Sequence, residues 1–306
     1  MSPRFTLDIL ATNTDPGKPG RANEDRLGHN ACAAFVLDGA TGLGDRQFME
    51  GYGSDAAWIA ELAATRLSER LDESVDPGRI LRQISSEARD AFLKAAGEQP
   101  RYAWPLCSLT ALRATEAGFQ YFGLGDSCLY VLHDDGTSDF FIPIPGAYEW
   151  EQQQAARHIA RLGGIGLIRG DQTDPVTLEE LREGRALQNT PDGITWTFGI
   201  VPEAADHIFR CDLPLRGGGA HAILCSDGLA DLVALYKAYD APGLVRQALD
   251  KGLPSLVEEL RRFERETDPE GLTYPRFKQS DDTTAILLRL TDQAASSASS
   301  AGLTGT

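Results

Sequence analysis

The sequence has 306 residues, 42% hydrophobic and 24% charged, the proportions of a globular domain with a sizeable core. Forty-five acidic residues against 29 basic ones give a formal net charge of -16, which argues against nucleic acid or an anionic membrane as partner. No apolar run approaches the roughly 20 residues of a membrane span, and the first ten residues show no basic-then-apolar leader, so a cytoplasmic location is expected. Five cysteines (Cys32, Cys107, Cys128, Cys211, Cys225) never form Cys-x-x-Cys and read as small core residues of a reducing compartment. No pair of histidines has a zinc-ligand spacing.

In chain order, Phe5, Leu7 and Ile9 alternate with polar residues as in a half-buried strand, and a turn-rich stretch from Asn13 to Gly20 follows. Ala33 to Leu37 reads as a short buried strand that ends on Asp38-Gly39. Ser54 is a helix N-cap ahead of Ile59, Leu62, Ala63, Leu67 and Leu71. Asp76-Pro77 opens a second helix with Ile80, Ile84, Ala88, Ala91 and Ala95 on one stripe. Three strands follow, Leu109 to Ala114, Phe119 to Leu124 and Leu129 to Leu132, joined by short turns as antiparallel neighbours require.

Residues 134–219 are less regular, with a polar helix from Trp150 to Leu162, a shorter one from Leu178 to Glu183, and a strand from Ile194 to Ile200. They read as a flap beside the core. Ala220 to Cys225 is another buried strand and runs into Ser226-Asp227-Gly228. Helical spacing returns at Leu244, Val245, Ala248 and Leu249, and again at Leu256, Val257, Leu260 and Phe263. Ser280-Asp281-Asp282 precedes a last strand, Ala285 to Leu290. The expected organisation is one domain over residues 1–292 and a low-complexity tail over 293–306.

Four buried strands therefore begin or end near aspartates: Asp38, Asp126, Asp227 and Asp281. Glu24, Asp25 and Asp231 add acid in turns. Any one of them reads equally well as a plain turn residue, but the repetition of one local pattern points to a shared site. Like charges gather only where their pKa values rise or cations bind. Aspartates with backbone carbonyls form a hard oxygen site suited to magnesium or manganese. Two such ions suit the hydrolysis of a phosphate ester. The chain has no glycine-rich loop with lysine, no Gly-x-Ser-x-Gly elbow and no reactive-cysteine motif.

In the order and spacing of its motifs the chain resembles the metal-dependent protein serine/threonine phosphatases of the 2C type (PPM), bacterial-like members included. The motifs are Asn23-Glu24-Asp25, Asp38-Gly39, Ser108-Leu109-Thr110-Ala111, Gly125-Asp126-Ser127, Ser226-Asp227-Gly228 with Asp231, and Asp281-Asp282. The resemblance implies an α+β fold, a four-layer α/β/β/α sandwich of two antiparallel sheets flanked by helices. It also implies two Mn2+ or Mg2+ ions, with a third in some members. Asp38 would bridge the two ions, Asp227 and Asp281 would complete one shell, and Glu24 with the carbonyl of Gly39 would serve the other. Asp126 and Asp231 resemble the positions of the third ion. The catalytic set is then Asp38, Asp227 and Asp281. A metal-bridging water would attack phosphoserine or phosphothreonine directly, on a phosphoprotein made by an opposing Ser/Thr kinase.

The match departs from the family in three places. Ala40 stands where many eukaryotic members carry a histidine proposed to protonate the leaving group. Arg21, the candidate for binding substrate phosphate, is three residues before Glu24, one fewer than the family spacing. Asp282 replaces the usual asparagine. Two alternatives stay open: a pseudophosphatase acting as a regulatory binding module, and a phosphatase for a small phosphorylated metabolite.

Overall fold

The computed structural model describes residues 3–165 and 174–294, so the tail expected over 293–306 lies, but for its first two residues, outside the described residues. All strand pairs are antiparallel. One sheet holds β1 (Phe5–Asp15), β11 (Thr283–Asp292), β10 (Gly219–Cys225), β6 (Cys128–His133) and β7 (Ser138–Phe141), in that spatial order. The other runs β2 (Arg26–His29), β3 (Ala33–Gly39), β4 (Leu106–Thr115), β5 (Gly118–Leu124) and β9 (Phe209–Leu213), with the two-residue β8 (Phe198–Gly199) beside β4. Helices α1 (Asp55–Arg70) and α2 (Pro77–Ala96) cover the outside of the second sheet. Helices α5 (Asp227–Ala234), α6 (Ala241–Lys251) and α7 (Leu253–Arg262) cover the outside of the first. The result is the expected α/β/β/α sandwich.

Alternation along β3 explains why its sequence is apolar throughout. Ala33, Phe35 and Leu37 face the helices and pack with Trp58, Ile59, Leu67, Ile84 and Phe92. Ala34 and Val36 face the opposite sheet and pack with Leu129, Val131, Leu224, Ile286 and Leu288. A strand covered on both sides has no polar face. Each fully buried Leu or Phe in these layers contributes about 1.5–3 kcal/mol from apolar burial.

The helix starts follow from their caps. The Ser54 hydroxyl accepts the Ala57 N–H at 3.0 Å, and the Asp76 carboxylate accepts the Arg79 N–H at 3.0 Å with Pro77 in the first turn. Other boundaries differ from the sequence reading. β1 continues through the turn-rich residues to Asp15 because it pairs along its length with β11. The strand expected over Ile194 to Ile200 shrinks to Phe198–Gly199, and Ile194 is exposed. From residues 134–219, β7, β8 and β9 join the sheets, whereas α3 (Ala147–Leu162) and α4 (Pro175–Leu187) lie over one end of the sandwich.

Candidate active site

The strand-end aspartates meet at that end. Asp38 is the penultimate residue of β3, Asp126 follows β5, Asp227 opens α5 directly after β10, and Asp281 precedes β11. Asp38, Gly39, Asp126, Asp227, Asp231 and Asp281 line one cleft of about 370 Å³, a volume suited to a small ligand or one side chain. Ser226 fixes the join between β10 and β11. Its N–H donates to the Thr284 carbonyl at 3.0 Å, and its hydroxyl accepts the Thr284 N–H at 2.9 Å. Asp227 and Asp281 are thereby held beside each other.

Electrostatics set the character of the cleft. Burial, reinforced by Asp227, Asp25, Asp126 and Asp281, pushes the Asp38 carboxyl well above its usual range. Burial and then Asp281 and Asp126 push Asp227 up to about 7. Asp231 and Asp126 are raised as well, burial again coming first. These groups resist carrying their charges together, which is what an uncompensated cluster of carboxylates does.

Glu24 does not line the cleft but is tied to it. The Thr41 hydroxyl donates to its carboxylate at 2.6 Å. Its own N–H donates to Asp282 at 2.6 Å, and the same carboxylate accepts the Gly17 N–H at 2.9 Å. The aspartate in the family's asparagine position therefore anchors the backbone of residues 17–24. Gly39 leaves no room for a side chain, since a Cβ there would lie 2.6 Å from the Glu24 carbonyl oxygen and 3.0 Å from that of Ala56. Ser108, in the family's glycine position, hydrogen-bonds the Ser127 hydroxyl beneath Asp126. Arg21 is exposed and is not among the cleft-lining residues.

Four side chains not singled out as site residues from the sequence join this site. Asp25 is 2% exposed, and among the described residues no well-directed hydrogen bond reaches either of its carboxylate oxygens, the Ser226 hydroxyl beside it being engaged with Thr284. Lys278 bonds Asp281, and Arg185 from α4 lines the wall. Glu151 from α3 also lines the cleft; although the residue is exposed, its carboxyl is raised by desolvation against the cleft and then by Asp227 and Asp126. Only the acidic motif around Asp25 left a signal in the sequence. The other three sit in stretches with no motif and reach the cleft through the packing of α3, α4 and the segment before β11.

A protein-family model described as protein phosphatase 2C matches residues 18–263. The chain belongs to the protein phosphatase 2C family. Its enzyme class is accordingly that of a protein serine/threonine phosphatase. The match ends before Asp281, which joins the site through the pairing of β11. Among solved structures, the PPM Ser-Thr phosphatase MsPP from Mycobacterium smegmatis, in complex with cacodylate, is 20% identical. That alignment covers 92% of this chain and 98% of MsPP, with a TM-score of 0.50. PppA, a regulatory component of the type VI secretion system in Pseudomonas aeruginosa, is 18% identical over 94% of this chain and 97% of its own, with a TM-score of 0.50. The catalytic domain of PstP, in complex with two manganese ions, is 18% identical over 94% of this chain and 100% of its own, with a TM-score of 0.48. No curated protein matches the sequence.

Among the described residues, no three acidic, histidine or cysteine side chains stand as a ready-made cage for a cation. The donors nevertheless fit the 2C family's divalent ions in kind. They are all oxygen, the choice of magnesium and manganese. The unpartnered Asp25 oxygens and the raised carboxyls around Asp38 mark negative charge that a cation would compensate.

Proposed function

We propose that the chain hydrolyses phosphoserine and phosphothreonine in proteins with the help of two Mn2+ or Mg2+ ions held by its strand-end carboxylates. The observation that carries this reading is the convergence of Asp38, Asp227 and Asp281 on one cleft in a 2C-family chain. Asp38 would be shared between the ions, Asp227 and Asp281 would hold the first, and Glu24 with the Gly39 carbonyl the second. Asp126 and Asp231 would receive a third. When bound, such ions supply acidification of water and neutralisation of phosphoryl charge.

The chain's own residues prepare that site. Thr41 orients the Glu24 carboxylate, Asp282 holds the Glu24 backbone, and Ser226 sets the spacing of Asp227 from Asp281. The Tyr148 hydroxyl donates to the Asp126 carbonyl at 2.8 Å, which ties α3 to the acidic floor. With Ala40 in place of a protonating histidine, no side chain at this position protonates the leaving alkoxide, and water or another group would have to supply the proton. General-acid help of this kind is typically worth ~10²–10⁴-fold, so its loss slows turnover without removing it.

In this reading residues 1–292 act as one phosphatase domain, and the substrates are phosphoproteins made by a Ser/Thr kinase. No helix among the described residues is long and apolar enough to cross a membrane. The test is hydrolysis of p-nitrophenyl phosphate and of phosphopeptides against manganese concentration. Expected are manganese-dependent turnover and its loss in Asp38→Ala and Asp227→Ala. Turnover that survives both substitutions, or survives chelation, would overturn the proposal. One observation favours the binding-module alternative: Lys278 already pairs with Asp281. Manganese binding by calorimetry without turnover on any phosphopeptide would select that alternative.

A further inference from the structure

The cleft floor is acidic, so a phosphate dianion entering it needs cations on the walls. Among the described residues that line it there are three: Arg185, Arg276 and Lys278. Arg276 is fully engaged elsewhere, donating to the Gln279, Tyr274, Glu264 and Asp268 carbonyls and to the Asp268 carboxylate. Lys278 is bonded to Asp281.

Arg185 differs from both. A guanidinium offers five N–H donors, and among the described residues Arg185 makes one hydrogen bond, a long one of 3.5 Å to the Thr41 carbonyl. No carboxylate forms an ion pair with it among the described residues, although Glu24 and Asp126 lie close enough to be felt. Its neighbours on the same side of the cleft are satisfied by contrast. Arg182 holds the Leu43 carbonyl and the Asp45 carboxylate, both at 2.9 Å, and Arg101 holds the carbonyls of Ala186, Gln188 and Asn189. Arg185 is half-buried, and burial pushes its guanidinium down to about 10 against the pull of Glu24 and Asp126, as for a cation without a full set of partners.

Its placement matches an anion at the reacting position. Thr41 lies three residues after Asp38 and receives Arg185 at its carbonyl and Lys278 at its hydroxyl, each at 3.5 Å. The two cations thus approach the end of the Asp38 strand from two sides. A planar fork suits two phosphoryl oxygens at once.

We infer that Arg185 binds the phosphate of the substrate through its unfilled donors, as the phosphate-holding residue of this cleft. The inference rests on the phosphatase reading above. It makes α4 part of substrate recognition, because the helix that covers the cleft carries the group that holds the anion.

The test uses the manganese-loaded protein and its Arg185→Ala, Arg185→Lys and Arg182→Ala variants. Three quantities are read: KM for p-nitrophenyl phosphate, inhibition by inorganic phosphate, and manganese binding by calorimetry. Expected for Arg185→Ala is a tenfold or greater rise in both KM and the phosphate inhibition constant, with manganese binding unchanged or tighter. Arg185→Lys recovers part of the loss, since a point charge replaces a fork. Arg182→Ala loosens the same helix without facing the cleft. If it reproduces the Arg185→Ala change, Arg185 only docks α4 and the inference fails. KM and phosphate inhibition within twofold of wild type in Arg185→Ala also overturn it. If the wild type hydrolyses nothing, the phosphatase reading fails separately, and calorimetry with inorganic phosphate decides the inference alone. Phosphate binding lost in Arg185→Ala upholds it; equal binding, or none by the wild type, overturns it.

Discussion

The ammonium of Lys278 lies 2.8 and 2.9 Å from the two carboxylate oxygens of Asp281. A lysine three residues ahead of a proposed metal ligand thus shares the carboxylate that the ligand would give to a cation. The pair is open to the cleft, with side chains 41% and 40% exposed, and an ion pair at such exposure is worth about 0.2–1 kcal/mol. Lys278→Gln is therefore expected to tighten manganese binding by a few fold, up to about fivefold. Calorimetric titration of the two proteins checks it. Weaker binding in the variant would mean that Lys278 supports the site instead of competing for it.

The raised carboxyls give a pH signature. Asp227 is held at about 7 in the folded protein, against about 3.9 in an unfolded chain. Between these values the folded state binds more protons, so its contribution to stability is complete at low pH and is lost as pH rises through about 7. Asp38 and Asp231 are raised in the same direction. In chelator, the melting temperature is expected to fall from pH 5 to pH 8. Manganese in excess should flatten that slope by compensating the ionised forms. Denaturation followed at several pH values with and without metal measures both, and a melting temperature that rises over this range in chelator would contradict the expectation.

Gly39→Ala introduces a Cβ 2.6 Å from the Glu24 carbonyl oxygen and 2.9 Å from the Glu24 Cβ. The end of β3 and the segment before β2 must separate to admit it, and overpacking of this kind costs about 1–3 kcal/mol. The expected outcome is a lower denaturant midpoint together with weaker manganese binding, because the displaced segment carries Glu24. Unchanged metal binding in a folded Gly39→Ala protein would separate Glu24 from the site.

Asp282→Asn restores the residue usual in the family and loses an acceptor in this chain. Both Asp282 oxygens accept backbone N–H groups, those of Gly17 and Glu24, and an amide can match only one of them with its oxygen. The group left without an acceptor costs about 1–3 kcal/mol if buried. Part of this is offset by relief of the repulsion that Asp282 exerts on Asp25. A net loss of about 1 kcal/mol is expected from chemical denaturation. A gain in stability would show that the repulsion on Asp25 outweighs the two backbone bonds.

The sequence by itself determined the buried strands, the first helices and the acidic theme of the site, and its motifs, through their resemblance to the 2C family, implied the sandwich. Short apolar runs closed by glycine, such as Ala33 to Leu37 and Ala220 to Cys225, read as buried strands, and an aspartate at such a strand's end stays at the sheet's end. Ser54 and Asp76-Pro77 announce α1 and α2 because capping chemistry is local. Weaker local signals misled or were silent. The eight-residue α5 follows β10 with hardly a linker, and the edge strand β2 has few apolar residues to mark it.

Tertiary structure alone decided which cations meet those carboxylates. Arg21 stands near Glu24 in sequence yet is exposed and does not line the cleft, whereas Arg185 and Lys278 stand far from Asp38 in sequence and close beside Thr41 in space. No local pattern encodes that meeting, because it follows from how α4 and the segment before β11 pack over the end of two sheets. Periodicity and capping depend on neighbours within a few residues. A charge constellation depends on closure of the whole sandwich.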